Sequence, residues 1–205
     1  YFLFCEAKVW KKAVDEAVQM KHTQPSLPIR AYHGVYTHPG YESIVLKPEG
    51  NGLNMHYGNL MGAVKHWHFD TFQIVDQDSP LDHLLLQFEL NLIGEPEGLK
   101  VQLEPQLAPL TFTRQAEAIY TQANYLKQFV GTYTLQNMPL SLSLVGDKLI
   151  AQVPGQKDQI LVPTSKNKFR LKDLNGYYIQ FVFKNNQLEK ALITQPGGNF
   201  EAVKK

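Results

Sequence analysis

The sequence predicts an all-β protein made of two tandem eight-stranded antiparallel barrels. Three observations predict this fold: an internal repeat, short segments in which apolar and polar residues alternate, and Gly, Pro and Asn residues spread between those segments. The chain of 205 residues is long enough for two domains of about 100 residues each.

The internal repeat is clearest in one hexapeptide. Residues 32–37 recur as residues 129–134, and both copies contain Gly-x-Tyr-Thr. Four further matches keep the same order along the chain: Gly52-Leu53 with Lys148-Leu149, Phe72 with Phe169, Gln87-Phe88 with Gln180-Phe181, and residues 110–114 with residues 200–204. Because there are only two copies, the repeat predicts a tandem pair of domains and not a solenoid.

Each copy contains about eight segments with the spacing of short strands. In residues 140–144, Leu-Ser-Leu-Ser-Leu, strict alternation places three leucines on one face of a strand. Turn dipeptides such as Asn51-Gly52 and Gly146-Asp147 separate the segments, and Gly and Asn tolerate the positive φ of tight hairpins. Eight antiparallel strands close most simply into a barrel, which removes exposed edges, and a sandwich is the alternative.

Two segments have helical spacing instead. The first carries apolar residues at Trp10, Ala13, Val14, Ala17 and Val18, and the second at Ala116, Ile119, Tyr120 and Ala123. The expected organisation is a helical segment at 1–28, a first barrel at 29–114, a helical connector at 115–128 and a second barrel at 129–205.

Composition excludes several classes of function. The net charge of +1 offers no general attraction for nucleic acid or acidic membranes. No apolar run is long enough to span a membrane, and the single Cys5 forms neither an internal disulfide nor a CxxC site. Because the chain does not begin with Met, we expect it to be a piece of a larger protein.

Two segments resemble a known family. Residues 31–41, Ala-Tyr-His-Gly-Val-Tyr-Thr-His-Pro-Gly-Tyr, and residues 65–72, Lys-His-Trp-His-Phe-Asp-Thr-Phe, resemble the lipocalin-like domain of unknown function at the C-terminus of bacterial and archaeal serine hydrolases. Residues 129–204 look like a second copy. The catalytic domain of those hydrolases is similar to penicillin-binding proteins and class C β-lactamases. The resemblance implies a tail that packs beside this catalytic domain.

The catalytic groups of such a hydrolase are not expected in this chain. They require Ser-x-x-Lys at the start of a helix and a Tyr-x-Asn nearby. Ser165 and Lys168 have the first spacing, but they fall in a polar turn between predicted strands. Tyr57-Gly58-Asn59 has the second pattern, but at the end of a strand in the other copy. The sequence therefore predicts no catalytic residue and no cofactor.

His66 and His68 are candidate residues for a metal or ligand site. On a regular strand both would point to one face and Asp70 would follow on it, so the three could hold zinc if a fourth ligand were present. The alternative, which we favour, is that they form hydrogen bonds within the barrel while Trp67 and Phe69 pack on the other face. A ligand or docking site, if present, is expected in the first copy, at Tyr36, Tyr57, His66, Trp67, His68 and Asp70.

The function expected from these features is that of a non-catalytic accessory region. It would act on a serine hydrolase domain upstream in the same protein, by shaping substrate access or oligomerisation. The alternative is a stand-alone binder of a small apolar molecule, by analogy with lipocalins. The resemblance implies a periplasmic or cell-envelope location, with the cytoplasm as the other option.

Overall fold

The structure is a computed structural model, and it describes residues 18–104 and 106–205. The predicted N-terminal helix from Trp10 to Val18 therefore lies outside the described residues except for Val18 itself. Within the described part of the chain, no helix is both long and apolar enough to cross a membrane.

The first barrel is a closed antiparallel barrel of eight strands in sequence order. A 3₁₀ turn at Ile29–Tyr32 leads into it. Its strands are β1 (Gly34–His38), β2 (Tyr41–Glu49), β3 (Gly52–Tyr57), β4 (Leu60–His68), β5 (Thr71–Val75), β6 (Leu85–Leu90), β7 (Pro96–Val101) and β8 (Leu110–Gln115).

The second barrel is also closed and has the same strand order. Its strands are β9 (Gly131–Leu135), β10 (Met138–Val145), β11 (Lys148–Gln152), β12 (Gln159–Ser165), β13 (Lys168–Leu171), β14 (Tyr178–Lys184), β15 (Gln187–Gln195) and β16 (Gly198–Lys204). The last strand pairs with the first, with Val203 opposite Thr134, and this closes the barrel. The prediction of two eight-stranded antiparallel barrels is confirmed.

The alternating residues fill the barrel interiors as the sequence predicts. In β10, Leu140 and Leu142 are buried, whereas Ser141 and Ser143 are half-buried. The first core is rich in aromatic rings: Tyr32 packs on Phe72 and Phe88 at centroid distances of 4.9 and 4.7 Å. Each core is one continuous cluster of buried side chains.

The predicted helical connector is present, but it is divided into short pieces. A 3₁₀ turn at Ala118–Thr121 is followed by α1 (Ala123–Leu126) and a second 3₁₀ turn at Lys127–Phe129. The division occurs because Gln122 is extended, with φ −75° and ψ 138°. Ile119, which we expected on the apolar face of the connector, is therefore exposed. Leu126 packs against the barrel instead.

The strands of the two barrels correspond one to one along the internal repeat. The matched segments of the sequence fall on corresponding strands eight strands apart, so that Phe72 lies in β5 and Phe169 in β13. The first two residues of each matched hexapeptide, 32–33 and 129–130, precede β1 and β9. The Gly-x-Tyr segments begin β1 and β9, where Gly34 and Gly131 have φ of 147° and 145°. This backbone conformation is readily open only to glycine, which accounts for the residue in both copies.

The chain divides into two compact units. The first contains the described residues up to Leu90 together with Pro96–Arg114, and the second contains Asn91–Glu95 and Gln115–Lys205. The short loop between β6 and β7 is therefore grouped with the second unit.

Candidate functional site

The predicted site residues of the first barrel lie around the turn between β4 and β5. The pairing of these strands shifts register between His66 and His68, so Trp67 is the extra residue of a β-bulge. Trp67 is buried, whereas both histidines are half-buried. The bulge ends the regular alternation, and Asp70 lies beyond the end of β4. The expectation that His66, His68 and Asp70 share one face of a strand is therefore wrong.

Both histidines form hydrogen bonds with nearby backbone. His66 Nε2–H donates to the Phe69 carbonyl at 2.9 Å, and His68 Nδ1 accepts from the Met20 N–H at 3.2 Å. Phe69 is 52% exposed, so it does not pack beside Trp67 as we expected. Among the residues that the structure describes, no three His, Cys, Asp or Glu side chains are grouped so that they could hold a metal ion.

Asp70 is the centre of a hydrogen-bond network that holds the incoming chain. Its carboxylate accepts bonds from the Ser26 N–H at 2.8 Å, from the Ser26 Oγ–H at 2.7 Å, and from the Tyr32 hydroxyl. Two neighbouring bonds join the same segments: Gln19 Nε2 donates to the Trp67 carbonyl at 2.7 Å, and the Phe69 N–H donates to Thr23 Oγ1 at 3.0 Å. The segment 19–26 is thus bonded along the β4–β5 turn.

The electrostatics of Asp70 fit this anchoring role. Partial burial raises the pKa of Asp70, but the hydrogen bonds from Tyr32 and Ser26 stabilise the carboxylate, and their combined effect lowers its pKa below the ordinary value of 3.8. The pKa of Tyr32 is raised, first by burial and then by its hydrogen bond to Asp70. Asp70 is therefore an ionised acceptor at neutral pH, with Tyr32 as a protonated donor.

The structure separates Tyr36 and Tyr57 from this turn. Tyr36 is fully buried, and its hydroxyl donates to the Tyr32 carbonyl at 2.9 Å. Burial raises its pKa, so it remains protonated. Tyr57 pairs with Leu60 at the opposite end of β4, and there burial and the carboxylates of Glu42 and Glu104 raise its pKa. Of the six predicted site residues, the four from His66 to Asp70 lie together at the turn, whereas the two tyrosines lie elsewhere.

The second barrel repeats the anchor with different residues. Asn167 stands 97 residues after Asp70, in the turn between β12 and β13. Asn167 Oδ1 accepts a hydrogen bond from the Tyr125 hydroxyl at 2.8 Å. The backbone N–H of Asn167 donates to the oxygen of the same Tyr125 hydroxyl, also at 2.8 Å. The backbone contacts also match, because the carbonyls of Asp70 and Asn167 accept from Phe88 and Phe181 N–H at 2.9 and 2.8 Å.

Sequence reasoning missed the partners in these anchors: Ser26, Tyr32, Tyr125 and Asn167. One signal could have found the last of them, since Asp70 and Asn167 have the same 97-residue offset as Phe72 and Phe169. An Asp in one copy and an Asn in the other favour a shared structural role over metal binding or catalysis.

The Ser-x-x-Lys pattern lies in that second turn. Ser165 ends β12, Lys168 begins β13, and no helix starts between them. Within the second unit, Lys168 Nζ forms an ion pair with Glu95 Oε1 at 2.6 Å, and Ser165 Oγ donates to the same oxygen at 3.2 Å. An ammonium held by a carboxylate has no lone pair with which to take the serine proton.

The second barrel also contains a cavity at one end. The cavity has a volume of about 130 Å³ and opens where β9, β11, β13 and β15 end. Its wall is mostly aliphatic, with a polar rim. The lining residues are Leu135, Leu140, Ala151, Val153, Leu171, Leu174, Ile179 and Ile193 in the wall, with Gln156, Lys157, Gln159, Tyr177 and Gln195 around them.

Aligning the two copies of the repeat explains the cavity by a difference in side-chain size. Strand register aligns Ala151 of β11 with Met55 of β3, since Leu149 corresponds to Leu53. Met55 is fully buried in the first barrel, so replacing it by alanine removes three heavy atoms from the interior. Two further alanines of the second interior, at 191 and 202, correspond to Leu99 and Phe112.

Comparison with known proteins assigns part of the chain. A comparison with curated proteins gives no significant match. The model of one domain family does match, over the segment 19–26, its anchor on Asp70 and the first barrel as far as residue 114 in β8. A domain of unknown function, DUF3471, is found at residues 18–114.

Proposed function

We propose that this chain is the non-catalytic accessory region of a serine hydrolase related to β-lactamases and penicillin-binding proteins. The observation that carries the proposal is the network on Asp70. It fixes the segment 19–26 against the β4–β5 turn with an ionised acceptor, and a fixed lead-in segment would hold the barrel in one orientation towards a domain before it.

Two further observations support a non-catalytic role. The pair Ser165 and Lys168 lies in a hairpin and is engaged by Glu95. His66 and His68 are hydrogen-bonded to backbone beside a structural turn. In this proposal the barrels pack on the catalytic domain, limit which substrates enter or contribute to a homo-oligomer, and work in the periplasm or at the cell envelope.

The experiment compares the full-length protein encoded by the gene with its Asp70→Ala variant. Hydrolysis of a small ester and of a bulky peptide or β-lactam substrate is measured for both, with Asp147→Asn in an exposed turn of the second barrel as the control. We expect Asp70→Ala to change kcat/KM for the bulky substrate several-fold more than for the small ester, because the effect acts through access.

Two results would overturn the proposal. One is hydrolysis by the present 205-residue chain alone that Ser165→Ala abolishes, because this would make the chain itself the enzyme. The other is an encoding gene that has no hydrolase domain before Tyr1. Neither depends on whether the second barrel binds a ligand.

A second candidate function is the binding of a small apolar molecule. The aliphatic cavity of the second barrel favours it, because interiors are normally close-packed and this barrel has an apolar space at one end. Binding would not exclude the accessory role, since the cavity and the network on Asp70 lie in different barrels. A soluble apolar probe that shifts the NMR signals of the cavity wall would support this candidate, and shifts outside the second barrel alone would reject it.

A further inference from the structure

We infer that the cavity of the second barrel is a binding site for a small carboxylic acid with an apolar part of about six carbon atoms. This inference rests on the second candidate function and specifies its ligand. It concerns the second barrel, whereas the sequence predicts that any pocket lies in the first copy.

The size of the cavity sets the size of the ligand. An engineered apolar cavity of about 150 Å³ stays dry and takes up benzene. The cavity here has a volume of about 130 Å³ and a wall of eight aliphatic residues. It therefore suits one small ring or a short alkyl chain, whereas a long fatty acid would extend far out of the opening.

The rim sets the chemistry of the exposed end. Lys157 is the only charged residue among those that line the cavity, and the other rim residues are Gln156, Gln159, Tyr177 and Gln195. The neighbouring Asp158 accepts a hydrogen bond from Gln152 Nε2 at 2.9 Å. A carboxylate at the opening would meet one cation and amide or hydroxyl donors, whereas an ammonium would meet the charge of Lys157.

The side chains inside the second barrel pack tightly at the end opposite the cavity. The opposite end of its interior is filled by rings, with Phe129 stacked on Phe181 at 4.5 Å and edge-on to Phe169 at 5.0 Å. The first barrel fills the corresponding region with Met55, and rings cover that end, where His38 packs on Tyr41 and Phe112 at 5.3 and 5.4 Å. The ligand site is thus a property of the second copy.

The test is an NMR titration of the ¹⁵N-labelled chain with three probes of equal length: hexanoate, hexan-1-ol and hexylamine. We expect hexanoate to bind with a dissociation constant on the order of 1 mM and to shift signals of Ala151, Ile179 and Ile193. Hexanol should bind about three- to fivefold more weakly and hexylamine more weakly still, since an exposed ion pair contributes modestly.

Three variants separate the parts of the inference. Ala151→Met, which copies the first barrel, should abolish binding of hexanoate and hexanol alike. Lys157→Gln should weaken hexanoate to the affinity of hexanol, and Lys148→Gln, an exposed lysine of β11 outside the cavity, should change nothing. If Ala151→Met does not fold, Leu174→Trp at the opening serves instead, because Leu174 is 38% exposed and its replacement leaves the core intact.

The outcomes are distinguishable. Equal binding of hexanol and hexanoate, unaffected by Lys157→Gln, overturns the inference of a carboxylic acid and leaves the binding function standing. Binding that survives both Ala151→Met and Leu174→Trp overturns the site. If neither hexanoate nor hexanol at about 20 mM, well above the dissociation constants expected, shifts the cavity signals, the inference and the second candidate function both fail.

Discussion

The hydroxyl of Tyr133 donates a hydrogen bond to the carbonyl of Phe129 at 2.7 Å. The first barrel has the same contact between Tyr36 and Tyr32, at 2.9 Å. Both tyrosines are buried, and both follow the glycine that begins the first strand of their barrel. Each bond joins a barrel to the turn that precedes it. This contact accounts for the tyrosine in both copies of the Gly-x-Tyr repeat.

Removing this hydroxyl should destabilise each barrel. In Tyr133→Phe the Phe129 carbonyl loses its donor in a buried setting, so we expect the free energy of unfolding to fall by about 1–3 kcal/mol. Urea unfolding checks this, with Tyr120→Phe in the connector as the control. A loss for Tyr133→Phe no larger than that of the control would contradict the role of the bond.

A side chain on the glycine of the same motif should destabilise the first barrel. A Cβ on Gly34 would lie 2.9 Å from Arg114 Nε, at a φ that side chains rarely adopt, and Arg114 also donates to the His33 carbonyl at 2.7 Å. We expect Gly34→Ala to cost about 1–3 kcal/mol. Thermal unfolding followed by Trp67 fluorescence, in a Trp10→Phe background, measures it.

Gly198 provides the matched control for this variant. It also has a large positive φ, of 131°, but nothing lies within 4 Å of its would-be Cβ. Gly198→Ala should therefore cost less than Gly34→Ala, because it introduces the strain of the backbone alone. Equal losses for Gly34→Ala and Gly198→Ala would show that the contact with Arg114 is unimportant.

The stability contributed by Asp70 should depend on pH in the acid range. Because the pKa of Asp70 is lowered in the folded protein below 3.8, its contribution is complete above that pH and is lost as the pH falls through the folded-state value. At pH 6 we expect Asp70→Asn to be less stable than the wild type by about 1–2 kcal/mol. This difference should shrink below pH 4. A difference that stays constant from pH 6 to pH 2.5 in urea unfolding would contradict the assignment.

We expect that the hydroxyl that binds Asn167 can be supplied from residue 129 as well as from residue 125. Phe129 corresponds to Tyr32 but has no hydroxyl, and Tyr125 supplies one to Asn167 from one turn earlier. Tyr125→Phe should cost about 1 kcal/mol. Adding Phe129→Tyr should restore part of the loss in thermal unfolding. If the second change lowers the stability of Tyr125→Phe further, the two anchors are not equivalent.

Local chemistry explains which parts of the structure the sequence could predict. Alternation along residues 140–144 and the glycines at 34 and 131 act through their own backbone, so strands, turns and the duplication are visible in the sequence. The bulge at Trp67 arises from pairing with β5, and this pairing moves Asp70 off the face that alternation assigns to it.

The candidate site was harder to predict because its contacts are distant in sequence. Asp70 lies 44 residues from Ser26 and 38 from Tyr32, and no local pattern connects them. The cavity results from the small size of Ala151 relative to Met55, which is visible only after the two barrels are aligned. The histidines at 66 and 68 indicate a site in the first barrel, whereas the cavity with an aliphatic wall lies in the second.

Asp70 anchors the incoming segment, and amide hydrogen exchange of residues 19–27 in the full chain measures this anchoring. We expect the Ser26 N–H to be protected in the wild type and to exchange at least about tenfold faster in Asp70→Ala, while the second barrel is unchanged. Exchange of Ser26 at the rate of an unstructured peptide in the wild type, or at the same rate in both proteins, would contradict it.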